Sequence, residues 1–199
     1  RCASRGASDA APDDQLRTRA SARMNALGSP IGPVSKLRRV LSASGAVAAA
    51  ASGYDVFLRV GERAYPAIVE RGFQSTAVLA PIASAAAVAR LLRLTETETM
   101  HALAIAASLG SGLKAALRAS TTQPLQVAQG CEAGRVAALM AANGAQGHEG
   151  ILAEGFYPAY AGGDRPVPEP RVPRILDTYV KMHGGCRGNH APLDAFLTL

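Results

Sequence analysis

The sequence predicts a mainly α-helical fold. Apolar residues make up 48% of the chain, which is enough to build a core, yet aromatic residues make up only 5%, so that core must consist of Ala, Leu, Val and Ile. Between residues 44 and 143 these apolar residues recur at three- and four-residue spacing, the period of a helix with one buried face. Because each alanine-rich helix buries little area, we expect stability to come from neighbouring helices or from a partner chain.

Residues 1–42 differ from the rest and are predicted to be an irregular basic segment. They hold eight basic and three acidic residues, so they carry +5 of the formal net charge of +6. The cluster Gly28-Ser-Pro-Ile-Gly-Pro33 contains strong helix breakers. A solvated arm is favoured over a weak polyanion-binding one. The nearly neutral remainder, poor in aromatic platforms, argues against nucleic acid as a partner.

Three cysteines, Cys2, Cys131 and Cys186, are an odd number at wide spacing. They form no Cys-x-x-Cys motif and no disulfide framework, which indicates a reducing compartment. No signal peptide and no run of 18 apolar residues is evident. The prediction is therefore a cytoplasmic protein with no membrane partner.

The first predicted helix runs from Ser44 through Val60, with Tyr54, Phe57 and Leu58 on one face, and Pro66 interrupts the chain after it. Thr76 opens a second helix over Ala77–Leu94. Pro81 lies about one turn into that helix, where proline is tolerated better than at mid-helix.

Thr95-Glu-Thr-Glu98 reads as a capping box for a third helix, Thr99–Leu109, which the pair Gly110 and Gly112 ends. Leu113–Arg118 is predicted as a further turn or two of helix. The longest helix is predicted over Gln126–Asn143, with Gly144 as its C′ residue. Its predicted inner side is made of small residues that allow close helix approach: Val127, Gly130, Cys131, Gly134, Ala137, Ala138 and Ala141.

A short helix is predicted over Glu149–Ala153, ending at Gly155. The domain boundaries predicted are a helical domain over 43–163, a proline-rich linker over 164–174 and the start of a second domain over 175–199. In the last part, alternating Leu176, Thr178 and Val180 predict a strand over Ile175–Met182. A helix is predicted to begin at Ala191.

The segment Tyr179-Val-Lys-Met-His-Gly-Gly-Cys-Arg-Gly-Asn-His190 gathers the leading candidate site. Its glycines permit a sharp turn. Lys181 and Arg187 would make an anion site, with Cys186 beside them, and His190 adds a group that titrates near neutrality. The alternative is a strand end with a few exposed polar groups. His183, Cys186 and His190 lack a fourth ligand, so a metal site is not predicted.

Gly72-Phe-Gln-Ser-Thr76 is a second candidate, because Gln74, Ser75 and Thr76 precede a helix whose N–H groups suit an anion. The favoured alternative is that Ser75 or Thr76 simply caps the helix. Gln123, in Ser120-Thr-Thr-Gln-Pro124, has the same ambiguity. His101 is predicted to be structural and His148 to be solvated.

Taken together, these segments resemble the MmgE/PrpD family of 2-methylcitrate dehydratases and cis-aconitate decarboxylases. The stretches that carry the resemblance lie within residues 44–199: Gly53-Tyr-Asp-Val-Phe-Leu-Arg-Val-Gly61, Glu70-Arg-Gly-Phe-Gln-Ser-Thr76, Ala85–Leu94, Ala102–Leu113, Pro124-Leu-Gln-Val, Ala133–Ala142, and Lys181–His190 with Leu193-Asp-Ala195.

The resemblance implies an all-helical domain joined to a smaller α/β lid domain, so residues 175–199 would be the first strand and helix of the lid. It further implies a homodimer, a small di- or tricarboxylate substrate, no metal and no organic cofactor. The chemistry implied is proton abstraction and elimination, a lyase reaction. Lys181 and His190 match the family's catalytic Lys and His, and Arg187 matches its Arg, while Gln74, Ser75, Thr76, Gln123 and Cys186 would line the substrate site.

The chain departs from the family pattern at two positions. Gln74 stands where the family has His, and Gln123 stands where it often has Lys; neither amide can act as a base. The upstream acid/base motifs have no recognisable counterpart in residues 1–42. The expectation is therefore a partial lyase chain, with a non-catalytic remnant or a helical dimerisation module as the alternative.

Overall fold

A computed structural model of the protein describes residues 43–118, 121–168 and 173–198. The α-helices are α1 Ala43–Ala64, α2 Ala67–Glu70, α3 Ser75–Leu92, α4 Glu96–Ala107, α5 Thr122–Ala142, α6 Tyr157–Ala161 and α7 His190–Leu197. Short 3-10 turns cover Lys114–Arg118, Arg174–Asp177 and Arg187–Asn189, and a π-helical turn covers Leu152–Phe156. The prediction of a mainly α fold is confirmed, whereas residues 1–42 lie outside the described part.

Helix α3 is the centre of the fold, and α1, α4 and α5 pack around it. Nine of its residues are buried, among them Val78, Ile82 and Pro81. Burial on several sides explains why α3 is apolar nearly all round instead of along one stripe. Within the described residues it is the one helix long and apolar enough to cross a membrane, and here that apolar surface forms the core.

Glycines let α1 and α5 approach α3 closely. A Cβ on Gly53 of α1 would lie 3.1 Å from the carbonyl oxygen of Ala83, and one on Gly130 of α5 would lie 2.9 Å from that of Ala77. Gly134 is tighter still, because its Cβ would overlap the carbonyl oxygen of Pro81. The prediction of a small-residue face on α5 holds for Gly130, Gly134 and the three alanines, whereas Cys131 is exposed.

The face predicted for α1 is partly wrong. The structure buries Ala49, Gly53, Val60, Gly61 and Ala64, and leaves half of the Tyr54 side chain exposed. The inward face is made of small residues because the two backbones lie so close together that a tyrosine would not fit between them.

Side-chain and glycine caps end the helices largely as predicted. Thr95 and Glu98 form the reciprocal capping box at the start of α4, and Gly144, with φ of 88°, follows the carboxyl end of α5. His101 is structural as predicted, since its Nδ1 lies 3.2 Å from the carbonyl oxygen of Gly147. His148 is exposed and pairs with Glu154 at 2.9 Å.

Arg93 caps the carboxyl end of α3 in the left-handed conformation, with φ of 53°, and is the one non-glycine residue with positive φ among those described. This conformation strains residues that carry a Cβ. We therefore expect Arg93→Gly to raise the free energy of unfolding by about 1 kcal/mol. Arg90→Gly, in the last turn of the same helix, should lower it by about 1 kcal/mol. Urea denaturation of the two variants checks this, and a lower stability for Arg93→Gly would contradict it.

Two predictions about the carboxyl-terminal third are wrong. Residues 175–182 form no strand: the chain makes a 3-10 turn over Arg174–Asp177 and is irregular from Thr178 to Cys186. An alternating pattern makes a strand only beside a partner strand, and the described residues offer none. In place of the helix predicted over Glu149–Ala153, the structure has a π-helical turn over Leu152–Phe156 that continues as α6.

Candidate functional site

Arg174 anchors residues 173–198 on the helical body. Its backbone N–H donates to Oδ1 of Asp55 at 2.8 Å, and its guanidinium forms an ion pair with Glu62, both on α1. A second ion pair joins its Nε to Asp177 at 2.6 Å. The candidate turn therefore begins a few residues beyond a point fixed to α1.

The contacts with Arg174 change the pKa of the Asp55 carboxyl group. Partial burial acts to raise its pKa, but the hydrogen bond from the Arg174 backbone and the contacts with Arg59 outweigh that effect, so the pKa of Asp55 lies below its usual value of 3.8. A carboxyl group whose pKa falls on folding contributes stability above its unfolded pKa and loses it as the pH falls through the folded one.

Acidification should therefore loosen the attachment of residues 173–198. We expect amide hydrogen exchange around Arg174 to accelerate as the pH drops below about 4, because protonated Asp55 no longer accepts these bonds as a charged group. The comparison is made relative to the exchange of α3 amides at each pH. In Asp55→Asn the exchange should already be faster at pH 7, and its rise below pH 4 should be smaller, because only the ion pairs of Arg174 with Glu62 and Asp177 remain to be lost. An unchanged profile in Asp55→Asn would contradict the assignment.

The cationic side chains of the predicted site lie in one turn after this anchor. The Nζ of Lys181 donates to the carbonyl oxygen of Gly185 at 2.6 Å, which closes the turn. Gly185 has a φ of 103°, a backbone conformation that glycine adopts without strain. The guanidinium of Arg187 lies over the ring of Tyr179, 4.7 Å from its centroid. Lys181 and Arg187 are both exposed, so their remaining N–H groups face solvent.

A histidine–carboxylate pair stands beside these cations. Nε2 of His183 lies 2.5 Å from Oδ1 of Asp194 on α7, and the ring of His183 meets that of His190 edge to face, with centroids 5.2 Å apart. Nε2 of His190 is buried and has no hydrogen-bond partner within the described residues. Cys186 is exposed with a free thiol.

Asp194 is the residue that sequence reasoning missed, and His183 was considered only as a metal ligand. The two are eleven residues apart, on either side of a glycine turn and a 3-10 turn. No periodicity brings such a pair together. The only available signal was that both lie within the stretches that carry the family resemblance.

The second candidate, at the start of α3, has a structural role in part. Gln74 is the N-cap: its side-chain Oε1 accepts a hydrogen bond from the backbone N–H of Ala77 at 2.6 Å. The backbone N–H of Gln74 donates to the carbonyl oxygen of Gly112. It is only 8% exposed. The prediction that Ser75 or Thr76 caps the helix is therefore wrong, because Gln74 occupies the extended position before the first turn and has a side chain long enough to reach back.

The neighbours of Gln74 remain available to a ligand. Thr76 is exposed and lines a groove of about 420 Å³ with Tyr54, Phe57 and Val127. Gln123 is exposed at the start of α5. Nearby, Oε1 of Gln126 is buried without a hydrogen-bond partner in the part of the chain that the structure describes.

Lys181, Cys186, Arg187 and His190 lie within ten residues of one another along the chain, and no described contact joins them to the Gln74 group. No hydrogen bond or ion pair connects the two groups over residues 43–118, 121–168 and 173–198. The groove beside Thr76 is lined by residues of α1, α3 and α5 only. The expectation that Gln74, Ser75 and Thr76 form the wall opposite Lys181 thus stays a prediction.

Comparison with known proteins links the helical body to one family. The family model described as the MmgE/PrpD N-terminal domain matches residues 34–169. No curated protein matches the chain. The matched span contains α1 to α6 and ends before the turn that holds Lys181 and Arg187.

Proposed function

The chain belongs to the MmgE/PrpD family, and from this premise we propose that it takes part in lyase chemistry on a small di- or tricarboxylate. The observation that carries the proposal is the turn 179–194, where two cations and a histidine–aspartate pair lie together. Proton abstraction next to a carboxylate needs this combination: charge to hold the substrate and a base to take its proton.

Lys181 and Arg187 supply the charge. One N–H of Lys181 is used by Gly185, which leaves two for a carboxylate oxygen. Arg187 lies over the ring of Tyr179 and is exposed, so its N–H groups can reach a carboxylate in a bidentate contact. Contact with the ring restricts the motion of the guanidinium, which lowers the entropy lost on binding.

His183 and Asp194 supply the base. With Nε2 held by Asp194, the neutral imidazole presents Nδ1 as an acceptor, and the carboxylate stabilises the imidazolium that forms. His183 Nδ1 takes the proton from the carbon next to a carboxylate, and the C–H electron pair becomes the C=C bond. The hydroxyl on the adjacent carbon leaves as water, with a proton that the proposal assigns to His190.

The proposal extends to the assembly and to the surroundings of the site. A homodimer that works in a reducing compartment without metal or organic cofactor fits the family resemblance. Leu125 and Val136 on α5 are exposed and would suit a contact with a second copy.

A turnover assay tests the function. The purified chain is incubated with citrate, 2-methylcitrate and cis-aconitate, and alkene formation or carbon dioxide release is followed. We expect turnover of at least one acid, reduced by about a hundredfold in His183→Ala, the range of a lost general base. Glu132→Gln, which removes an exposed carboxylate of α5 that pairs with Arg135, should leave the rate unchanged. Turnover that persists in His183→Ala would contradict the assignment.

Gln74 favours a second candidate, a non-catalytic helical module. Its side-chain oxygen is occupied by the N–H of Ala77, and an amide takes no proton at neutral pH. On this alternative the chain binds other copies of itself and does not turn over any acid. Absence of turnover together with a dimer in sedimentation equilibrium would replace the first proposal by this one.

A further inference from the structure

A groove of about 710 Å³ lies at the carboxyl end of α3, far along that helix from Gln74. Its apolar lining includes Ala86 and Ala89 of α3, Val56 of α1 and Leu103 of α4. The volume is in the range of pockets that hold small organic ligands. The MmgE/PrpD assignment gives this groove no role.

Two arginines give the groove a positive charge. Arg90 and Arg93 both line it, and none of the described residues that line it is acidic. Across residues 43–118, 121–168 and 173–198 neither guanidinium has an ion pair or a hydrogen bond. In the first turn of α4, Glu98 accepts bonds from Thr95 within the capping box. Thr99 places a hydroxyl group without a described partner beside the two cations.

The backbone of Arg93 is a second, independent observation. Its left-handed conformation at the helix end is one that glycine adopts without strain. An arginine kept at such a position is strained, and residues held in strained conformations cluster at binding sites. We therefore infer that the Arg93 side chain contributes to a binding site and is not required by the helix end alone.

Favourable interaction with the helix dipole is the competing explanation. A cation in the last turn of a helix is stabilised by the partial negative charge of the free carbonyl groups, which accounts for Arg90. It does not account for Arg93, because a lysine or arginine one turn earlier would gain the same interaction without a left-handed backbone. Like charges three residues apart also repel each other, and a bound anion would relieve this repulsion.

We propose that this groove binds an organic phosphate monoester with an apolar body. The phosphate, a dianion near neutral pH, matches two guanidinium groups with five N–H donors each, and the Thr99 hydroxyl adds a donor. The two alanines and the side chains of Val56 and Leu103 cover the apolar part. Inorganic phosphate has no apolar body, so it can interact with the two arginines but not with the apolar lining. A carboxylate with a chain of the same length carries about half the charge of the phosphate dianion.

Isothermal titration calorimetry of the full chain with n-hexyl phosphate, inorganic phosphate and hexanoate tests the proposal. We expect n-hexyl phosphate to bind more tightly than the other two. In Arg90→Gln/Arg93→Gln its affinity should fall at least about tenfold, as for lost charge-assisted bonds. The matched control Lys114→Gln/Arg118→Gln removes two charges outside the groove that have no ion pair among the residues the structure describes, and it should bind as the wild type does.

Arg93→Gly separates binding from folding. It should weaken n-hexyl phosphate binding while raising the melting temperature, because the ligand contact is lost and the strain is relieved. A weaker affinity that accompanies a lower melting temperature would overturn the role given to Arg93. Equal affinities in the wild type and in Arg90→Gln/Arg93→Gln, or no binding of n-hexyl phosphate at millimolar concentration, would overturn the proposal.

Co-sedimentation with vesicles that contain phosphatidic acid distinguishes the source of the phosphate. Pelleting that requires both arginines would assign a lipid headgroup to the groove. Binding of n-hexyl phosphate without pelleting would assign a soluble phosphate ester.

Discussion

A Gly134→Val variant should be at least about 3 kcal/mol less stable than the wild type, a large part of the 5 to 15 kcal/mol typical of a folded domain. A side chain at Gly134 would overlap the carbonyl oxygen of Pro81, and its Cβ would lie 2.7 Å from Cβ of Ser84 and 2.8 Å from the backbone N of Ala85. Two of these three neighbours are backbone atoms of α3, which cannot rotate away, so α5 would have to move off the central helix.

Urea denaturation followed by far-ultraviolet circular dichroism measures this loss. Gly155→Ala is the matched control, because the nearest atom to its new Cβ, Cγ1 of Ile151, is at an ordinary contact distance of 3.6 Å. We expect Gly155→Ala to stay within about 1 kcal/mol of the wild type. A Gly134→Val variant as stable as Gly155→Ala would mean that α3 and α5 are not packed as described.

The second large effect concerns the turn at the carboxyl end. Lys181→Ala/Arg187→Ala should weaken citrate binding at least about tenfold, because two charge-assisted contacts to carboxylates are lost. Both side chains are exposed, so solvent screening keeps the effect below that of a buried pair. Calorimetric titration with citrate at low and at physiological salt measures it.

Arg118→Ala/Arg135→Ala serves as the control for net charge. It removes two positive charges from the helical body and leaves the turn intact. We expect its citrate affinity to match that of the wild type at physiological salt, where long-range charge effects are screened. Equal weakening in both double variants would show that citrate responds to overall charge and not to the turn.

Much of the helical body was predictable from local signals. The capping box of Thr95 and Glu98 and the C′ glycine Gly144 are fixed by side-chain chemistry over three or four residues. The small-residue face of α5 follows from its spacing. The face of α1 was misjudged because hydrophobicity favours burying Tyr54, whereas the close approach at Gly53 requires a small residue.

The candidate site was less predictable, for reasons of tertiary geometry. Three consecutive polar residues, Gln74, Ser75 and Thr76, stand at the start of α3, and only the backbone conformation selects Gln74 as the cap. The alternation of Leu176, Thr178 and Val180 suggests a strand, but pairing depends on a neighbour that the sequence pattern does not supply. The His183–Asp194 pair depends on how a glycine turn closes.

The most direct test of the central claim is a two-dimensional ¹H–¹⁵N NMR titration of the chain with citrate. The claim predicts that chemical-shift changes concentrate on residues 181–190 and on Asp194, with the amides of α3 and α5 unaffected. Shifts that concentrate elsewhere, or no shifts at saturating citrate, would contradict it.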